Sequence, residues 1–152
     1  MKYYILLIIT SVIGCSGFAS CADEDEKFEN IEFKTTGIIL SSPNGSSYYA
    51  EIGSSGGEMT ITATGKNANN GFLCQIKVGN YLYEVTDSDR DQLLPHTICE
   101  KEWGKVELLS VSPHSIRIVL YENHTNNSIN YELRFGGGYK TSNILLTQLK
   151  SK

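Results

Sequence analysis

A run of acids, Asp87-Ser88-Asp89-Arg90-Asp91, has the spacing of the first half of a calcium-binding loop. Such a loop needs a glycine at its sixth position for the sharp turn and a bidentate acid at its twelfth. Here those positions hold Gln92 and Ile98, and Arg90 places a cation among the would-be ligands. The run therefore reads as a solvated acidic turn. Ser88 and Asp91 are spaced for a capping box and Pro95 stops continuation, so Ser88 to Leu94 is the one helical candidate, no more than about two turns long. No metal site is expected, because there is no C-x-x-C spacing and His96, His114 and His124 fall in polar, turn-like segments. The serines lack a G-x-S-x-G elbow, and Glu100 and Glu102 beside Trp103 resemble ordinary exposed strand acids. No catalytic constellation is legible, and neither an enzyme nor a cofactor is expected.

Sugar binding is a chemistry that the composition permits. It needs exposed aromatic faces to stack on pyranose rings and nearby amides for the hydroxyls. The chain has 9 Tyr and 1 Trp, with Asn-rich turns. Trp103, Tyr139 after the triple glycine, and Tyr48 and Tyr49 after the Pro43 turn are the best-placed candidates. The competing reading is that tyrosine suits strands by shape and that Trp103 is core. Nucleic acid is excluded as a partner, because Lys and Arg total 13 against 17 Asp and Glu and the pI is near 5.4.

The charge is uneven. Residues 21–30, CADEDEKFEN, carry Asp23, Glu24, Asp25, Glu26 and Glu29 against Lys27 alone, a run that resists compaction. Upstream, MKYYILLIITSVIG has one lysine and then an apolar stretch of roughly a dozen residues, the length of a signal-peptide core rather than of a spanning helix. Val12-Ile13-Gly14-Cys15 and Phe18-Ala19-Ser20-Cys21 both resemble the lipobox of bacterial lipoproteins. Cys21 is the preferred lipidation site, because the CADEDE that it opens resembles the acidic surface-export signal of Bacteroidota lipoproteins. Cys15 is the alternative anchor, and ordinary cleavage after Ala22 would release a soluble protein. The expected location is the cell envelope, as a surface-exposed outer-membrane lipoprotein held to the membrane by its acyl chains.

Two cysteines then remain for the fold. In an exported chain Cys74 and Cys99 are expected to pair, a bridge worth roughly 3 kcal/mol on the chain-entropy account. Two buried free thiols are the alternative.

The elements that must position these residues are strands. Met59, Ile61 and Ala63 alternate with Thr60, Thr62 and Thr64; Phe72, Cys74, Ile76 and Val78 alternate with Gln75 and Lys77 up to the next turn. Gly79-Asn80 separates that run from Tyr81 to Val85 as in a tight hairpin. Further runs cover Ile98 to Trp103, Val106 to Val111, Ile116 to Tyr121, Ile129 to Phe135 and Asn143 to Leu149, with two earlier ones at Gly37 to Leu40 and Tyr48 to Ile52. Turn chemistry punctuates them at Pro43-Asn44-Gly45, Ser112-Pro113 and Gly136-Gly137-Gly138. Eight or nine strands at that spacing predict an all-β, Ig-like antiparallel β-sandwich. The organisation expected is a lipoprotein signal peptide over 1–20, a disordered acidic tether over 21–34 and a sandwich domain over 35–150.

Three features of that strand map resemble the BACON domain, a β-sandwich module of Bacteroidota surface proteins. Ser55-Gly56-Gly57 opens the first core strand, Tyr121-Glu122-Asn123 ends a later one before a polar turn, and Ile144-Leu145-Leu146-Thr147-Gln148 resembles the family's closing strand. The resemblance spans about residues 54–149. It implies a non-catalytic module contacting carbohydrate or glycoprotein. A protein–protein role, as an accessory or immunity-type lipoprotein, is the alternative.

Overall fold

The computed structural model describes residues 30–137 and 140–151. The expected signal peptide, Cys21 and Tyr139 lie outside the described residues. Among these residues the fold is all-β, with ten strands in two five-stranded sheets. The strands are β1 (Glu32–Thr36), β2 (Ser47–Ile52), β3 (Gly57–Thr64), β4 (Leu73–Val78), β5 (Tyr81–Glu84), β6 (His96–Lys101), β7 (Gly104–Val111), β8 (His114–Leu120), β9 (Ile129–Gly137) and β10 (Lys140–Gln148). The first sheet has the order β1-β3-β8-β7-β6 and the second β2-β10-β9-β4-β5. The arrangement is consistent with a β-sandwich.

One core joins the two sheets. Met59, Ile61, Ile116, Ile118 and Leu108 come from the first, and Ile76, Tyr131, Leu133, Phe135, Ile144 and Leu146 from the second; all are buried. Most of these strands alternate such side chains with more polar ones on the outer face, the period that half-buried strands require. Burial of each large aliphatic or aromatic side chain contributes roughly 1.5–3 kcal/mol. Among the described residues no helix is long and apolar enough to cross a membrane.

Four local expectations are corrected. The ladders are not all antiparallel, because β10 pairs with β2 in parallel, Asn143 opposite Ser47 through Gln148 opposite Ile52. The first strand, Glu32–Thr36, begins within the last residues of the stretch expected to be tether. Ile31 is buried, and Phe33 and Thr35 turn inward between exposed Glu32, Lys34 and Thr36. Gly37 to Leu40 is not a strand. Gly37 turns the chain at φ +76°, after which Ser41 bonds back to β2 through Tyr49. The helix is a single turn, α1 (Asp87–Arg90), capped by Thr86 rather than Ser88.

The expected Cys74–Cys99 disulfide is absent, and both thiols are free. The reason is a bulge in β4. Leu73 pairs with Phe135 and Gln75 with Arg134, so Cys74 is the extra residue between them. Leu73 takes the core position that strict alternation assigned to Cys74. The displaced thiol is half-exposed and donates to the Arg134 carbonyl at 3.1 Å. Cys99 turns inward from β6 of the other sheet, its sulfur 3.4 Å from the Tyr81 hydroxyl.

Candidate functional site

Tyr48 and Tyr49 are neighbours on β2, so they face opposite ways. Tyr48 is buried, donates its hydroxyl to the Ile31 carbonyl at 2.9 Å and meets Phe33 edge-on. Tyr49 is 45% exposed on the outer face of the second sheet. Trp103, in the β6–β7 turn, is buried against Tyr131 and Tyr81, with ring centroids at 5.7 and 6.4 Å. Its ring is packed on other aromatics and offers no open face for stacking. Of the aromatic residues singled out from the sequence, Tyr49 alone among those described presents an open ring.

The strand registers lay out what surrounds that ring. A single row crosses the sheet on its outer face: Tyr49 on β2, Leu145 on β10, Glu132 on β9, Lys77 on β4 and Leu82 on β5. A second row, Glu51–Thr147–Asn130, runs beside it. Between them lies a groove of about 430 Å³, bordered by Tyr49, Leu145, Glu132, Lys77, Asn130 and Thr147. Thr147 donates its hydroxyl to the Asn130 carbonyl oxygen at 3.1 Å, which turns the Asn130 amide nitrogen away from that bond and leaves it free to donate. The groove thus joins one aromatic face to an amide, a hydroxyl, a carboxylate and an ammonium. The outward parity of Asn130, Glu132 and Arg134 was legible in the alternation. Their alignment with Tyr49 was not, because register is a property of pairing between distant segments.

The outer face of the first sheet differs in chemistry. Glu107 accepts bonds from Lys105 and Arg117, and Arg117 also approaches Glu58. The Lys105 ammonium, with Arg117 beside it, holds the Glu107 carboxyl below the usual carboxylate range against the opposing effect of its burial. This face satisfies its own charges.

The acidic run around α1 is structural too. Asp89 accepts from the Thr86 backbone N–H and hydroxyl and from Tyr83, closing a capping box, while Asp87 pairs with Arg90. Among the described residues no group of three or more His, Cys, Asp and Glu could hold a metal.

The three segments that resemble BACON domains converge on one end of the fold. The Gln148 amide donates to the carbonyls of Ser54 and Tyr121 and its oxygen accepts from Tyr131. Asn123 donates to Asn127 and Leu149, and its backbone N–H bonds Ser54. Gly56, at φ +71°, lies so close to the Leu120 and Tyr121 carbonyls that no side chain fits. The resemblance therefore rests on a buried clamp and not on a ligand site.

No protein-family model matches the chain, and no curated protein does. Among solved structures its fold is similar to that of an NMR structure of a protein from Bacteroides thetaiotaomicron, with a TM-score of 0.54 and 14% identity over 82% of this chain and 90% of that one. At that identity the likeness is one of fold.

Proposed function

We propose that this chain is a non-catalytic, BACON-like surface module that binds carbohydrate or the glycan of a glycoprotein through the outer face of its second sheet. The observation that carries the reading is Tyr49, an open ring at the border of a shallow groove rich in hydrogen-bonding groups. A ring face recognises the apolar side of a pyranose and the surrounding groups its hydroxyls, the combination that small-ligand sites use for affinity and orientation. In this reading the chain is an outer-membrane lipoprotein anchored through Cys21, with the acidic segment as spacer. Asn30, the first described residue, is tied to the turn before β2 by its side-chain amide, which donates to the Gly45 carbonyl.

The protein–protein alternative would need a contiguous apolar patch. The most exposed aliphatics, Ile39 at 91% and Leu93 at 93%, belong to connections at opposite edges of the first sheet, after β1 and before β6. They do not form one patch. A glycan array probed with residues 22–152 tests the proposal. Binding to at least one glycan class, lost in Tyr49→Ala, is the expected result. Silence across mucin and plant polysaccharides, with capture of one envelope protein instead, overturns it.

A further inference from the structure

The groove beside Tyr49 is not the end of the recessed surface. A second depression of about 490 Å³, lined by Gln75, Lys77, Gly79, Asn80, Tyr81 and Leu82, shares Lys77 and Gly79 with it. Together they follow the row Tyr49–Leu145–Glu132–Lys77–Leu82 from one edge strand of the sheet to the other. We propose that the two depressions are one cleft lying across the strands, and that it holds an internal stretch of a linear, uncharged glycan. This rests on the glycan reading above and states the shape and charge of the ligand.

Length follows from the sheet itself. Five strands at a spacing of about 4.8 Å span roughly 19 Å, close to the length of about four pyranose units laid end to end. The row ends in apolar side chains, Tyr49 at one edge and Leu82 at the other, the latter 51% exposed. Both ends of the row lie on edge strands of the sheet, β2 and β5.

The middle of the row supplies polar contacts. Glu132 and Lys77 face each other across the β9–β4 ladder, yet neither takes part in an ion pair among the described residues. Their hydrogen-bonding capacity is open to hydroxyls. Charge is balanced in the lining of the cleft, which holds one base, Lys77, and one acid, Glu132. Such a surface gives no net attraction to a polyanion. A protein segment would meet an acid and a base in the middle of the row, which separate Tyr49 and Leu145 from Leu82.

Calorimetric titration with size-graded di- to hexasaccharides of the neutral gluco-, manno-, xylo- and galacto-series tests this. The expected result is an affinity that rises about tenfold, or 1.4 kcal/mol, from disaccharide to tetrasaccharide and then levels. Leu82→Asp should lower tetrasaccharide affinity by a similar factor and leave disaccharide binding unchanged, while Tyr49→Ala lowers both; melting curves verify that the variants fold. Full affinity already at the disaccharide, or no effect of Leu82→Asp, overturns the extended cleft and leaves a compact site at Tyr49. Tighter binding of uronic or sulfated chains of equal length overturns the charge assignment. Silence at every length removes the glycan reading itself, and this inference with it.

Discussion

His114 Nε2 accepts the backbone N–H of Leu73 at 2.9 Å, joining the first residue of β8 to the first of β4 across the two sheets. Only a neutral imidazole can do this, with its proton on Nδ1, and that nitrogen has no hydrogen-bond partner. Burial, reinforced by Arg90, pushes the imidazole down to about 4 from 6.5. Between those two values the unfolded chain binds the proton and the folded chain does not, so stability rises with pH. It is fully present above 6.5 and is lost as the pH falls towards 4, by about 3 kcal/mol at most from this group. Urea melts at a series of pH values should show that loss, and His114→Gln, which keeps an acceptor for Leu73, should flatten it.

Gln148 makes three hydrogen bonds in a fully buried position. Gln148→Leu should destabilise the domain by roughly 3 kcal/mol, because it leaves two carbonyls and the Tyr131 hydroxyl without partners. Tyr131→Phe, which removes one bond together with its donor, should cost about 1 kcal/mol. Denaturation midpoints at neutral pH compare the two.

The adjacent tyrosines of β2 should separate cleanly. Tyr48→Phe loses the bond to the Ile31 carbonyl and should cost about 1 kcal/mol of stability, with ligand binding unchanged. Tyr49→Ala should stay within about 0.5 kcal/mol in stability and lose binding.

The free thiols should differ in accessibility. In residues 22–152, which hold only Cys74 and Cys99, a thiol reagent should modify Cys74 in the native state and Cys99 only on unfolding. Burial raises the Cys74 thiol above its ordinary value, so labelling is slow at neutral pH and quickens under alkaline conditions. Two unreactive sulfurs in the native, non-reduced protein would contradict the arrangement.

Period-two alternation located most strands, because inward and outward side chains differ in polarity wherever one face is buried. It failed where the period slipped. Phe72, Cys74, Ile76 and Val78 fall at every second position, with Leu73 the one apolar residue between them, yet the bulge at Cys74 shifts Leu73 inward, and the disulfide expectation failed with that shift. It also failed where charge concealed it: Glu32 and Lys34 continue the charged character of the preceding segment, although Ile31 and Phe33 already belong to the core side. The opposed directions of Tyr48 and Tyr49 follow from adjacency alone. Trp103 gave no such signal, since its burial depends on Tyr81 and Tyr131 arriving from the other sheet. The row from Tyr49 to Leu82 needed four registers, two of which join segments far apart in the chain.

The parallel ladder of β10 on β2 governs the order in which the face is completed. β10 is the last of the ten strands among the described residues and lies between β2 and β9. Until it arrives, Tyr49 and Glu132 belong to two separate pieces of sheet, and Leu145 and Thr147 are missing from between them. Joining residues 47–52 to 143–148 closes a loop of most of the domain, a late and slow event in folding. A chain emerging N-terminus first can therefore assemble the β4–β5 hairpin and the first sheet early. It gains the continuous row from Tyr49 to Leu82 only when β10 has been delivered, so a chain cut short before residue 143 lacks the face on which the proposed binding depends.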